Sequence, residues 1–173
     1  IKDIENLVNE FSNFARMPRP IFKKINIIDV VERSVDFSKM TSNNKINIST
    51  NHKKLIIDGD SDQLYRVFIN LIKNSEEAFL DITQKVSQFK GKIDIEIISN
   101  NDYIVIRLSD NGTGISDIKK AMTPYYTTKI KGTGLGLPIV SKIINEHSGE
   151  LIIKNKIDGN GSTITISFPK INE

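Results

Sequence analysis

The sequence predicts an α+β domain in two layers, with helices packed on one face of a sheet. Three observations predict it. Helix-like and strand-like runs are mixed along the chain. The strand-like runs are joined in pairs by short Asn-, Asp- and Gly-bearing turns of the hairpin kind. One long stretch, from Leu64 to Ile82, carries a continuous apolar stripe at helical spacing and is the strongest helix in the chain.

The elements follow in order. Ile4, Leu7, Val8, Phe11, Phe14 and Ala15 fall at helical spacing, so an amphipathic helix is expected to about Arg16. Met17-Pro18-Arg19-Pro20 ends it, because proline lacks an N–H and restricts the residue before it. Asp29 is a candidate N-cap for a helix to about Met40, with Val30, Val31 and Val35 facing inward, joined by Phe37 or Met40. Lys45–Thr50 alternates and reads as a strand, and Leu55-Ile56-Ile57 as a short second one. Asp60 or Ser61 caps the long helix. Its apolar stripe is Leu64, Val67, Phe68, Leu71, Ile72, Ala78, Phe79 and Ile82, and a polar stripe of Arg66, Asn70, Asn74, Glu77 and Asp81 runs along one edge. Lys92–Ile98 and Tyr103–Ser109 read as paired strands around an Asn100-Asn101-Asp102 turn. A helix is expected from about Leu135 to His147. Strands at Glu150–Lys154 and Ser162–Pro169 follow, joined by Asp158-Gly159-Asn160-Gly161.

Bulk properties bound the function. The 173 residues suit one domain, with 38% hydrophobic and 26% charged residues as in ordinary globular chains. The net charge of +3 comes from scattered basic residues, so no nucleic-acid partner is called for. The absence of cysteine excludes disulfides, thiolate metal sites and cysteine nucleophiles. No apolar run approaches the ~20 residues of a membrane-spanning helix. The chain opens on Ile-Lys-Asp-Ile-Glu without an initiator Met, and is expected to begin inside a longer protein.

Four short motifs carry the chemistry. Asn70 and Asn74 are one turn apart and project to the same side of the helix. An asparagine carbonyl is a hard, neutral ligand suited to Mg²⁺ held together with phosphates. Taken alone, the pair reads rather as two surface asparagines in an Asn-rich chain. Asp110-Asn111-Gly112-Thr113-Gly114 follows a strand. A carboxylate there can accept from an exocyclic amine such as that of adenine, though Asp-Asn-Gly is also a common turn. Gly132-Thr133-Gly134-Leu135-Gly136-Leu137-Pro138 precedes a helix, where backbone N–H groups and the positive helix end can meet phosphates. It matches neither a Walker A loop nor a dinucleotide fingerprint. Lys129 and Lys131, with Thr127, Thr128 and Thr133, offer cations and hydroxyls to a triphosphate. Gly161-Ser162-Thr163 opens the last strand. Asp58-Gly59-Asp60-Ser61-Asp62 resembles the start of a calcium loop but lacks its later Gly and Glu, and calcium is rejected. His147 sits at a helix C-terminus, where the dipole favours a cation. Neither it nor His52 has a catalytic context.

The order of the four motifs resembles the ATP-binding domain of sensor histidine kinases, within the gyrase/Hsp90/histidine kinase/MutL superfamily. Asn70–Ser75 resembles the N box, Asp110–Gly114 the G1 box and Gly132–Gly136 the G2 box. Pro124-Tyr125-Tyr126-Thr127-Thr128-Lys129 resembles the Pro-Phe-Phe-Thr-Thr-Lys that precedes G2. The resemblance covers roughly residues 21–170. Val8–Pro18 looks like the end of the dimerisation helix of nitrogen-regulation kinases of the NtrY and NtrB kind.

The resemblance implies the two-layer α/β sandwich of the superfamily (the Bergerat fold) with a mixed sheet, plus a short N-terminal helix. Residues 1–20 would be the end of a second dimerisation helix and linker, and residues 21–173 the catalytic ATP-binding domain. Asp110 would hold the adenine amine, with Gly112 and Gly114 letting the base approach. Asn74 would bind Mg²⁺ beside Asn70. Lys129, Lys131 and Gly132–Gly136, with Thr127, Thr128, Thr133 and Leu135, would cradle the phosphates of ATP, and Thr163 would complete the site. The implied activity is transfer of the γ-phosphoryl group to a histidine on an upstream dimerisation domain, then to a response regulator. The implied setting is a homodimer whose catalytic domain lies in the cytoplasm under a bacterial membrane-anchored sensor. Ser75 replaces the usual Ala, Tyr125 and Tyr126 replace Phe, and Arg66 stands where many relatives carry an acid. Rival readings are an ATP-driven clamp, which would use a Glu where Asn70 stands, an anti-sigma-type serine kinase, and a non-enzymatic interaction module.

Overall fold

The computed structural model describes residues 8, 12, 17–84, 86, 88–128 and 132–171, with Asp81 described by its backbone alone. The N-terminal helix expected to about Arg16 lies outside these residues but for Val8 and Ser12, which are helical. Strand β1 (Lys23–Asn26) leads into helix α1 (Ile27–Thr41). Strands β2 (Lys45–Thr50) and β3 (Ile56–Gly59) precede the long helix α2 (Ser61–Thr83). Strands β4 (Lys92–Ser99) and β5 (Tyr103–Asp110) form a hairpin. A one-turn helix α3 (Ile118–Ala121), helix α4 (Gly136–Glu146) and strands β6 (Glu150–Asn155) and β7 (Ser162–Pro169) complete the chain.

The main sheet has the order β2-β4-β5-β7-β6, and β1 pairs with β3 in a small antiparallel sheet. Only β2–β4 is parallel, so the sheet is mixed. The period-2 alternation of β5 and β7 sends Ile104, Ile106 and Leu108, with Ile164, Ile166 and Phe168, to one face. On that face lie the apolar stripes of α1, α2 and α4. Leu64, Val67, Phe68, Leu71 and Ile72 of α2, Val31 and Val35 of α1, and Ile139, Val140, Ile143 and Ile144 of α4 are all buried there. The opposite face carries Asp94, Glu96, Arg107, Thr163 and Thr165, none of them buried. No described helix is long and apolar enough to cross a membrane.

Several local expectations are corrected. Helix α1 begins earlier than Asp29, with Asn26 at its N-cap. Asp29 sits in the first turn and accepts a 2.7 Å bond from the Asn26 amide, whose oxygen in turn accepts from Leu55 N. Asn26 is therefore spent on the β3 side, and Asp29 steadies it. Phe37 and Met40 face outward, at 50% and 85% exposure. They follow the buried positions Val31, Ser34, Val35 and Ser38 by a register that turns them off the core. Strand β1 carried no alternation to reveal it. At the start of α2, Asp60 is the cap, accepting from the N–H of Asp62 and Gln63.

Candidate functional site

Asp110 is the last residue of β5 and continues the inward-facing register of Ile104, Ile106 and Leu108. Its carboxylate therefore points into the helical layer, where only 3% of the residue is exposed. A carboxylate so buried must be hydrogen-bonded. Asp110 Oδ1 accepts from Gly112 N at 2.8 Å and Ser162 N at 3.3 Å. Oδ2 accepts from the Ser162 hydroxyl at 2.7 Å and the Ser75 hydroxyl at 3.4 Å. Gly161 makes the close approach of β7 possible. It has φ of 102°, and a Cβ there would lie 2.0 Å from the Asp110 carbonyl oxygen.

A cleft of about 940 Å³ runs from Asp110 along the polar edge of α2, large enough for a nucleotide-sized ligand. Ser75, Ala78 and Ile164 flank its Asp110 end, and Asn74, Asn70 and Arg66 follow toward the start of α2. The spacing Arg66, Asn70, Asn74 is one turn each, which is why one edge of the helix delivers all three. Asn70 Nδ2 donates to the Arg66 carbonyl at 2.9 Å, which uses one of its two amide hydrogens on the helix. Across the cleft stands the start of α4. A Cβ on Gly136 would lie 3.6 Å from the Oδ1 atoms of both Asn70 and Asn74.

The first turn of α4 has no side-chain cap, and Leu135 is its N-cap. Orphan N–H groups there, with the helix dipole behind them, favour an anion. Leu135 itself is fully buried in the core, so it anchors the turn and does not line the cleft. Tyr125 has φ of 68° and donates its N–H to the Gly134 carbonyl at 3.1 Å. Gly134 has φ of 68°, and a Cβ on it would meet the Tyr125 and Tyr126 backbone at 2.6 Å. Tyr126, Thr127, Thr128, Gly132, Thr133 and Gly134 line the cleft. Lys129 and Lys131, expected to serve phosphates, lie outside the described residues.

The structure thus brings Asn70, Asn74, Asp110, Gly114, Thr127, Thr128, Gly132, Thr133, Gly134 and Gly136 to one cleft. Gly112 stands behind Asp110, where a Cβ would meet Ala78 Cβ at 2.8 Å. Thr163 is a correction. It points to the outer face of the sheet, its hydroxyl 3.0 Å from that of Ser109, its cross-strand partner. The alternation of β7 puts Ser162, not Thr163, at the carboxylate. Sequence reading also passed over Asn155. Its Oδ1 accepts from Ile115 N at 2.8 Å and its Nδ2 donates to Ile115 O at 2.7 Å, pinning the loop after Gly114 to the end of β6. No local pattern marks it. Ser75 was marked only by the resemblance, as a serine where alanine is usual.

His147 departs from the expected cation. Burial pushes its pKa below the usual imidazole range, against the pull of the Ile143 carbonyl and the Asp60 and Glu146 charges. Its Nε2 accepts from Asp60 N at 2.9 Å while Nδ1 meets Ile143 O at 2.8 Å, so the neutral Nδ1–H tautomer fits both. Desolvation outweighs the helix dipole here. Among the described residues no three His, Asp or Glu gather as a metal cage.

Residues 59–172 match the family described as histidine kinase-, DNA gyrase B-, and HSP90-like ATPase. The chain is 37% identical over 169 residues to an NtrY-like sensor histidine kinase of Rickettsia prowazekii, covering 96% of this chain and 27% of that protein. It is 30% identical over 180 residues to the nitrogen regulation protein NtrY of Azorhizobium caulinodans, covering 97% and 22%. The chain therefore spans about a quarter of the length of these relatives. Among solved structures, the catalytic domain of histidine kinase ThkA in a nucleotide-free form superposes with a TM-score of 0.71 at 28% identity, covering 87% of this chain and 98% of that one. The mycobacterial sensor histidine kinase MprB shares the fold, with a TM-score of 0.70. The chain belongs to the family of histidine kinase-, DNA gyrase B- and HSP90-like ATPases, as an ATPase catalytic domain homologous to those of sensor histidine kinases.

Proposed function

We propose that this domain binds Mg-ATP in the cleft and presents its γ-phosphoryl group to a histidine on a dimerisation domain, from which a response regulator takes it. The observation that carries the reading is the polarity of the cleft. One end holds a buried carboxylate, suited to an exocyclic amine, and the other an uncapped helix start facing two asparagines. A base at Asp110 leaves the phosphates beside Gly132–Gly136 and the Asn70–Asn74 edge. Asn74, with Asn70 as neighbour, fits Mg²⁺ because its carbonyl oxygen lies in the cleft beside the α4 start, and a neutral oxygen ligand suits a cation that phosphates also hold. The chemistry such an ion would supply is neutralisation of phosphate charge. The protein's own work is positioning: Asp110 and Ser162 fix the base end, the first-turn N–H groups of α4 meet the phosphates, Tyr126 to Thr128 line the cleft, and Lys129 and Lys131 are the cations that steer the phosphates.

The phosphoacceptor is not His147, which is buried with both ring nitrogens engaged. The reading places the acceptor histidine outside residues 1–173, with residues 1–20 as the end of a dimerisation helix and linker and 21–173 as the catalytic domain. The whole protein is then a dimeric, membrane-anchored kinase of the nitrogen-regulation kind, with this domain in the cytoplasm. Incubating the chain with γ-labelled ATP and a separate dimerisation domain from an NtrY-like kinase tests this. The reading expects acid-labile phosphohistidine on the dimerisation domain and none on this chain. Phosphate release by this chain alone, with no transfer, would favour the clamp ATPase instead.

A further inference from the structure

The Asp110 carboxylate is already full. It has about four lone-pair sites, and the protein supplies four donors: Gly112 N, Ser162 N, the Ser162 hydroxyl and the Ser75 hydroxyl. An incoming amine must displace one of them. Three are fixed, two being backbone N–H groups and the third a 2.7 Å hydroxyl bond. The Ser75 hydroxyl is different. At 3.4 Å from Asp110 Oδ2 it is long for an O–H···O bond. It also has a second acceptor, the Leu71 carbonyl one turn back, at 3.3 Å. One hydrogen serves two distant acceptors, so Ser75 is the donor that yields.

We propose that Ser75 sets how strictly the cleft distinguishes a 6-amino purine from a 6-oxo purine, a refinement that rests on the reading of Asp110 as the base-binding carboxylate. Ser75 lines the cleft and is 3% exposed, so its hydroxyl competes with a ligand and little with water. A 6-amino group donates to Asp110, and the Ser75 hydrogen turns back to Leu71. The ligand thereby replaces a bond the empty site already had, and its net gain is reduced. A 6-oxo group has no hydrogen for Asp110 and brings an oxygen toward a carboxylate. Here the Ser75 hydroxyl turns from the carboxylate to the ligand carbonyl and relieves part of the repulsion. The same side chain weakens the preferred base and tolerates the wrong one.

Removing the hydroxyl acts on both ligands with opposite sign. Ser75→Ala leaves Asp110 with one acceptor position open, which a 6-amino group fills without competition, and takes away the Ser75 donor from a 6-oxo group. Calorimetric titration with ATP and with inosine triphosphate, on wild type and Ser75→Ala, reads both. ATP is expected to bind about three- to ten-fold tighter, the range of one weak hydrogen bond. Inosine triphosphate is expected to bind more weakly, so that the ratio of the two dissociation constants rises about ten-fold or more. Ser75→Cys keeps the volume and offers only a weak donor, and moves the ratio in the same direction. A ratio unchanged in both variants, with wild type binding ATP normally, overturns the role of Ser75 alone. A wild-type chain that binds neither nucleotide overturns the base-binding reading of Asp110, and the Ser75 proposal with it.

Discussion

The Ser162 hydroxyl lies 2.7 Å from Asp110 Oδ2, a bond between residues 52 apart in sequence that joins the ends of two neighbouring strands. Thr163, the next residue, points the other way and pairs with Ser109 on the open face. The two hydroxyls therefore make a controlled comparison. Ser162→Ala removes a short bond to a buried carboxylate and is expected to cost about 1–3 kcal/mol of stability. It is also expected to weaken ATP about ten-fold or more, because the carboxylate loses its aim. Thr163→Ala leaves ATP affinity where it was. Thermal melts and titrations on the two variants check both statements, and equal effects would return the site role to Thr163.

Asn74 and Gly136 face each other across the cleft. If Asn74 holds the metal, Asn74→Ala weakens Mg-ATP by about ten-fold or more and changes metal-free ATP little. Parallel titrations in Mg²⁺ and in a chelator separate the two. Equal losses would mean that Asn74 only shapes the cleft.

The buried, neutral His147 makes stability sensitive to mild acid. Burial holds its pKa below the ordinary imidazole value of 6.5, so below that pH the unfolded chain takes up a proton that the folded chain does not. More protons bound in the unfolded state means stability that rises with pH. The folded chain is thus expected to hold its stability above about pH 6.5 and to lose it as pH falls through that value. Denaturant melts at about pH 7.5 and about pH 5.5 read the slope. His147→Gln should flatten it, and a wild-type curve flat over that window would show that His147 charges freely.

Asp60 joins the chain before β1 to the helix that carries the asparagines. It caps α2 and also accepts from Ile21 N at 2.8 Å. Burial works against its charge, yet the N–H bonds from Ile21, Gln63 and Asp62 and the nearby His147 prevail and hold its pKa below 3.8. Its stabilisation is present above the unfolded value and is lost only as pH falls through the lowered one, well below the His147 window. Asp60→Ala is expected to cost about 1–2 kcal/mol and to expose the Ile21 amide to hydrogen exchange. An unchanged Ile21 exchange rate would show that the segment is held by other contacts.

The α+β class, the long α2 stripe and the β4–β5 and β6–β7 hairpins were legible because each rests on a local period or turn. Strand β1 was not, since its partner β3 lies some thirty residues on and Lys23–Asn26 carries no alternation. The cleft residues Asn70, Asn74, Asp110 and Gly136 were legible as motifs. Their fit against one another was not, because it depends on α2 and α4 meeting edge to edge. The choice of Ser162 over Thr163 followed from strand register, which a motif of adjacent residues does not encode. Asn155 and the neutral His147 owe their roles to contacts distant in sequence, with Ile115 and Asp60.

Asp110 is the residue proposed to receive the base of ATP. Asp110→Asn keeps the shape but puts an NH2 group where one carboxylate oxygen accepted two bonds, at a cost of about 1–3 kcal/mol that a melt will read. Titration of the folded Asp110→Asn chain with Mg-ATP is the most direct test. Binding is expected to fall by about a hundred-fold or more. Near-wild-type affinity would contradict it.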